Sequence, residues 1–394
     1  MTLVLCLPDG TVLGALPPFE VEVPWWPEAA PVVEAAREAH GVETVILRLL
    51  HADGGRVPAG GAVTYLAQVD ALPAMTLAGW AGKLDADEPL RLPWARPGGP
   101  DADLDWADSV LDARGTPRAG PARQIRTWNL SSLWRLPLES RAAWLKVVPP
   151  FFAHEGAMLG RLDSADVPSL IAADGARVLL EEVPGADQHG AVGEPLLGMV
   201  RILVSLQQRW IGRVHDLLEL GLPDWRPEPL QELAAEVVRR TAAELDPETV
   251  ATLQRLVEGL GRRYAQIAAC GIPPTLVHGD FHRGNVRGEG DRLVLLDWGD
   301  CGVGHPLLDQ AAFLDRMPAE QAGNVRAKWS RLWRDAIPGS DPDRAATLLR
   351  PVGALRQAIV YRSFLDGIEP SERIYHAADP ADWLTRAAGF HASA

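Results

Sequence analysis

The chain is short of the features that mark several large classes of protein. Among its 394 residues are three cysteines, and Cys6, Cys270 and Cys301 stand far apart with no C-x-x-C pairing. That excludes a disulfide framework and a zinc knuckle, and it fits a reducing, cytoplasmic setting. There is no basic run and the formal charge is −14. A nucleic-acid partner is therefore not expected, because phosphate backbones are met by Lys/Arg patches. No stretch reaches the ~20 apolar residues that a membrane span requires, so no membrane partner is expected either. The opening MTLVLCLPDG lacks a basic segment and meets Pro8 and Asp9 early, which is not a signal-peptide pattern. No internal repeat is visible.

What remains is an ordinary globular composition, 47% apolar and 23% charged. Residues 2–16 suggest a hairpin around Pro8-Asp9-Gly10, and EAAPVVEAAREAHG has helical spacing with a glycine stop at Gly41. Two further strands are predicted around the Gly-rich turn of HADGGRVPAGG. The Pro/Gly/Asp-rich stretch beyond Pro93 reads as a boundary interrupted by a short helix. From Gln124 new strand-like segments begin, and beyond Gly185 the periodicity is mainly helical. Three parts are expected: an α+β segment over 1–118, a small strand-rich unit over 119–184, and a large helical unit over 185–394.

The densest chemistry lies in LVHGDFHRGNV, Leu276 to Val286, followed by the strand-like RLVLLDWG ending at Gly299. A metal site on His278-x-Asp280-x-His282, a phosphoryl-transfer loop and a well-bonded turn all compete for it. The metal reading lacks further clustered ligands. Phosphoryl transfer uses more of the letters. Asp280 would accept the proton of an attacking hydroxyl, while Asn285 and Asp297 are hard oxygen donors suited to Mg²⁺ bridging the phosphates.

HGDFHRGN followed by LLDWGD resembles the paired motifs of the aminoglycoside phosphotransferase and choline kinase family. GVGHPLLDQAAF resembles that family's next motif, so that Asp309 would brace the loop from below and His278 would buttress its backbone. The resemblance implies an α+β, bilobal protein-kinase-like fold, with a small β-rich lobe and a large mainly helical lobe, preceded here by an extra N-terminal α/β subdomain. It implies Asp280 as base, and Asn285 with Asp297 as magnesium ligands. Upstream, AWLKVVPPFFAHEGAML supplies Lys146 and Glu155 for the phosphate-side ion pair. VLLEEVPG supplies the inter-lobe linker, with backbone groups near Glu182 and Val183 for the nucleotide base. No G-x-G-x-x-G precedes Lys146; Ser131 and Ser132 stand there instead and are expected to help cradle phosphate.

By the resemblance the chain is a small-molecule kinase that uses Mg²⁺ and ATP as co-substrate. Its partners would be a nucleoside triphosphate and a small hydroxylated acceptor, and an acidic chain suits a cationic one. His282, where a protein kinase carries lysine, together with Asp300, Asp366 and Glu369, are the acceptor-side candidates; a solvated charged face is the plainer reading of the last two. A nucleotide-binding pseudokinase and a metal-dependent hydrolase are the rival readings.

Overall fold

Period-two alternation builds the first strands. A computed structural model describes residues 1–22, 27–53, 61–82, 84, 87–315 and 317–392. β1 (Thr2–Cys6) pairs antiparallel with β2 (Val12–Ala15), as the turn residues require. Helix α1 (Ala30–His40) stops at Gly41, which takes the left-handed conformation and returns its N–H to the Arg37 carbonyl. β3 (Val45–Ala52) and β4 (Val63–Gln68) complete a four-stranded sheet of order β2-β1-β4-β3, with β1 and β4 parallel. The Gly-rich turn expected between β3 and β4 falls largely on 54–60, outside the described residues. Both faces of this sheet are buried. Leu3 and Leu5 join a core with Val32, Ala36 and Tyr65, while Val4 and Cys6 face Leu47 and Leu66 on the other side.

The stretch beyond Pro93, expected to be a boundary, is a core element. Its helix α2 (Gly99–Ala113) buries Ala107 and Leu111 against a second sheet, together with Trp94, Trp134, Leu136, Leu145 and Leu179. Asp103 of the same helix is buried and accepts from Arg177 Nε at 2.7 Å. Composition alone points to a linker here because Pro and Gly punctuate it, but two tryptophans and a leucine face supply the apolar area that holds it down.

The second sheet is a five-stranded antiparallel one formed by β5 (Arg123–Trp128), β6 (Ser131–Pro137), β7 (Ala142–Val147), β8 (Leu170–Asp174) and β9 (Arg177–Glu181), in the order β5-β6-β7-β9-β8. The helix α3 (His154–Leu162) follows β7. Gln124 links the two sheets as if it were a piece of strand: its Oε1 accepts from Ile46 N and its Nε2 donates to Ile46 O, at 2.8 and 2.7 Å.

The chain divides into two compact units, the first comprising 1–156, 170–182 and 364–377, the second 157–169, 183–363 and 378–394. The segment 364–377 reaches the first unit from far along the sequence. Glu372 there accepts from Leu49 N, and the Glu372 carbonyl accepts from Asn129 Nδ2.

The second unit is mainly helical. It begins with β10 (Ala186–Asp187), then α4 (Glu194–Gln208), α5 (Val214–Glu219), α6 (Pro227–Thr241) and α7 (Pro247–Ala268). Asp246 caps α7 by accepting from Thr249 N. β11 (Thr275–Val277) pairs with β14 (Gly302–Gly304), and between them β12 (Val286–Glu289) and β13 (Arg292–Leu295) form a hairpin flanked by β10. α8 (Leu308–Asp315), α9 (Ala319–Ala336), α10 (Pro342–Gly367) and α11 (Asp379–Ala392) follow. Trp329 and Trp333, one helical turn apart on α9, are fully buried.

Candidate active site

Each unit holds a set of polar residues, and each set is built from its own local structure. In the first unit, β7 alternates so that Ala143, Leu145 and Val147 enter the core while Lys146 points to the other face. Glu155 lies in the first turn of α3, where a carboxylate is favoured by the helix dipole. Lys146 Nζ and Glu155 Oε1 meet at 2.8 Å, with side chains 12% and 2% exposed. A well-formed, largely desolvated pair of this kind holds the ammonium in one place.

Ser131 and Ser132 open β6 immediately after the turn at Asn129 and Leu130. Their hydroxyls face tryptophans: Ser131 Oγ accepts from Trp128 Nε1 at 3.2 Å and Ser132 Oγ from Trp134 Nε1 at 3.0 Å. Ser132 is 1% exposed, which removes its hydroxyl from the expected phosphate cradle. The alternation of β6 turns Ser132 inward, a consequence of register that serine's polarity does not reveal. Glu182 gives its side chain to Arg135 at 3.0 Å and its N–H to Ala142 O, leaving its carbonyl as the linker group of interest. The Val183 carbonyl accepts from Arg287 Nε at 2.8 Å.

In the second unit, β11 delivers the chain into the loop 278–285. Phe281 fixes the loop from inside, stacked on Phe313 at 4.5 Å and edge-on to Trp329. Asp280 and Asn285 then meet across the loop: Asn285 Nδ2 donates to the Asp280 carbonyl at 2.9 Å and to its Oδ2 at 3.1 Å. His282 Nε2 lies 3.2 Å from the same Oδ2, and His282 Nδ1 accepts from Gly284 N at 2.9 Å.

The loop is braced by buried charges. Asp309, 2% exposed, accepts from His278 N on Oδ2 and from Gly279 N on Oδ1, at 2.9 and 2.8 Å, and from Gln207 Nε2 at 2.9 Å. Burial pushes its carboxyl upward, opposed by those donors and by neighbouring positive groups. Arg356 donates to the Gly279 and Asp300 carbonyls, both at 3.1 Å, and its guanidinium lies over the Trp225 ring. Gly279 has φ +89°, and a Cβ there would stand 2.0 Å from the Asp300 carbonyl oxygen, so only glycine fits between these braces. His278 is buried, its basicity lowered by burial, and its Nε2 donates to the Leu296 carbonyl at 3.0 Å. It ties the loop to the segment that carries Asp297.

That segment returns along the hairpin, where Leu296 N donates to Asn285 O at 2.8 Å. Asp297 follows at once, exposed, with φ +61°. A left-handed aspartate costs about 1 kcal/mol or more and persists only where its surroundings fix it. With Nδ2 of Asn285 turned to Asp280, its side-chain Oδ1 is left as an acceptor, and Asp297 follows the residue whose N–H bonds the Asn285 carbonyl. A hard amide oxygen and a carboxylate oxygen suit Mg²⁺, which keeps several waters and takes few protein ligands. The histidines do not suit zinc: His278 Nε2 and His282 Nδ1 are each engaged with backbone, and no group of three or more metal-ligating His, Cys, Asp or Glu occurs among the described residues.

Of the acceptor-side candidates, Asp366 is exposed and Asp300 half-buried. Glu369 is corrected by the structure. It is 5% exposed and its Oε2 accepts from Arg91 Nε and Nη2 at 3.1 and 3.0 Å inside the first unit, so its carboxylate is committed to a buried arginine. Arg356 was not visible as a site residue from sequence; its only signal is an arginine set among apolar positions of GALRQAIVYR. His189 was also missed: a Cβ on Gly284 would stand 2.6 Å from its ring and 2.7 Å from that of His282.

Comparison with known proteins gives the fold and the family. No curated protein matches the chain. Solved structures match with low identity. Choline kinase LicA from Streptococcus pneumoniae aligns at 12% identity and a TM-score of 0.52, over 74% of this chain and 99% of that one. A macrolide 2′-phosphotransferase type I aligns at 18% and 0.51, over 72% and 97%. Aminoglycoside 2′-phosphotransferase-IIIa, solved with GDP, aligns at 12% and 0.50, over 74% and 99%. These likenesses give the protein-kinase-like α+β fold, and about a quarter of this chain has no counterpart in them. The model of the phosphotransferase enzyme family matches residues 134–348, a span that holds Lys146, Glu155, Asp280, Asn285, Asp297 and Asp309, and the chain belongs to that family.

Proposed function

We propose that this protein is a small-molecule kinase that moves the γ-phosphoryl of ATP to a hydroxyl of an aminoglycoside, amino sugar or similar small polar acceptor. The observation that carries the reading is the Asn285 amide, which donates to Asp280 Oδ2 and so presents its own carbonyl oxygen away from the base. One residue thereby serves both the carboxylate and the metal position. Asp280 takes the proton of the acceptor hydroxyl, that oxygen bonds to the γ-phosphorus, and the bond from phosphorus to the β-side bridging oxygen breaks to release ADP. Lys146, held by Glu155, pairs with the phosphates, and the linker backbone at Glu182 and Val183 meets the base. Asn285 and Asp297 would hold Mg²⁺, which would offset the negative charge of the phosphate oxygens.

A cationic acceptor is favoured by the net charge of −14. Structural relatives named for choline and aminoglycoside substrates support the same class. Asp300 and Asp366 are the acidic residues proposed for the acceptor. The test is nucleoside diphosphate release from Mg-ATP across aminoglycosides, amino sugars, neutral sugars and amino alcohols, with Asp280→Asn as control. Acceptor-dependent release that the variant loses supports the reading. Nucleotide binding with silence across the panel favours a pseudokinase, and silence without nucleotide binding sinks the proposal.

A further inference from the structure

The residue between base and metal ligand has a role that its expected place facing the acceptor does not explain. His282 stands in extended backbone at the entry to the short turn Arg283–Asn285, and its Nδ1 accepts the Gly284 N–H. An imidazole nitrogen that accepts a backbone N–H carries no proton of its own, so the proton sits on Nε2. That Nε2 is 3.2 Å from Asp280 Oδ2. The backbone therefore selects the tautomer, and the tautomer places the Nε2–H beside the base, 3.2 Å from Asp280 Oδ2.

The ring has little freedom to do otherwise. A Cβ on Gly284 would meet the rings of both His282 and His189 at under 3 Å, so the turn is tight against two imidazoles. The neighbouring turn is sewn to the loop by Arg283 Nη1 to Ala191 O at 3.3 Å and by Gln188 N to Val286 O at 3.0 Å. Asn285 Nδ2 and His282 Nε2 converge on the same carboxylate oxygen. The amide donor and the nearby imidazole nitrogen both lie on the Oδ2 side of the carboxylate, which leaves Oδ1 on the side away from them.

We propose that His282 is a positioning residue of the phosphotransfer reaction: its Nε2–H clamps Asp280 Oδ2 so that Oδ1 meets the acceptor hydroxyl. This rests on the kinase reading for Asp280. The two functions of the ring separate by substitution, since Asn mimics Nδ1 and caps the turn, whereas Gln places an amide N–H near the position of Nε2. His282→Asn keeps the melting temperature, because Asn is a strong cap, and lowers kcat about 10- to 100-fold, as loosened positioning does. His282→Ala lowers both. His282→Gln restores kcat to within about threefold of wild type, and KM for ATP and acceptor moves by less than about threefold in all three.

Wild-type kcat in His282→Asn overturns the proposal, as does a His282→Gln as slow as His282→Ala. A raised acceptor KM with kcat kept would make His282 an acceptor-binding residue and overturn it too. Long-range ¹H–¹⁵N spectra of the full chain, assigned by the signal lost in His282→Asn, give a readout free of turnover. The Nε2–H tautomer, with a shift on Asp280→Asn, is expected; an Nδ1–H or doubly protonated ring overturns the proposal. If the wild type turns over no acceptor, the kinase reading fails, and these spectra still decide the contact.

Discussion

Asp309 and Glu372 are both completely buried carboxylates, one in each unit, and their surroundings differ. Asp309 accepts from two backbone N–H groups and a glutamine amide. Glu372 accepts from Leu49 N on Oε1, while no partner for Oε2 is found among the described residues. Burial is the main cause of its carboxyl being pushed up to about 8, with Glu369 adding to it. The difference teaches what each unit needs. The loop proposed to position reacting atoms is held by an anchor saturated with donors and bonded to two adjacent peptides. The seam that joins Leu49, Arg91, Asn129 and the 364–377 segment needs only to close, and it tolerates a carboxyl that is protonated near neutrality.

The comparison can be pressed hardest at the proposed base. Asp280→Asn should lower kcat by ~10²–10⁴, the worth of a positioned base, with the melting temperature unchanged; near-full activity in the diphosphate-release assay would remove Asp280 from the mechanism. Next is the saturated anchor. Asp309→Ala leaves two buried N–H groups unpaired and removes one of the negative charges around Arg356, and should cost ~3–5 kcal/mol in urea unfolding.

For the half-saturated carboxyl the signature is pH. A folded pKa of about 8, against an ordinary 4.5, means that the protonated form stabilises the fold. That contribution is full below pH 4.5 and is lost as pH rises through 8, a decline on the order of a few kcal/mol. Glu372→Gln should flatten it, and stability-against-pH curves that stay parallel in the two proteins would refute the assignment. Gln124→Ala should cost less, ~1–3 kcal/mol, for the stranded Ile46 N–H and C=O. At the small end, His215 Nε2 and Glu219 Oε1 lie 3.2 Å apart with side chains 83% and 66% exposed. His215→Ala should change stability by under ~0.5 kcal/mol.

The geometry of the candidate catalytic stretch was readable because its partners are neighbours in sequence. Asp280, Asn285 and Asp297 lie within one loop and one hairpin, so spacing alone sets which groups can meet. Lys146 and Glu155 were readable for a similar reason, one strand and the helix after it. Reading failed where register or distance decides. Ser132 turned inward because β6 alternates, and Glu369 went inside because Arg91, 278 positions away, takes its carboxylate. The stretch beyond Pro93 looked like a linker until its tryptophan and leucine side chains found the five-stranded sheet.

By itself, the sequence determined the strand and helix types, the family, and the order of the residues proposed to hold phosphate, metal and proton, since periodicity and short-range spacing are local properties. The tertiary structure alone decided which carboxylates are anchors, that Asp309 holds the loop by its N–H groups and Arg356 by its carbonyl, and that the 364–377 segment closes the first unit. Those outcomes depend on partners far apart along the chain, and the desolvation that makes them matter exists only once the chain has folded around them.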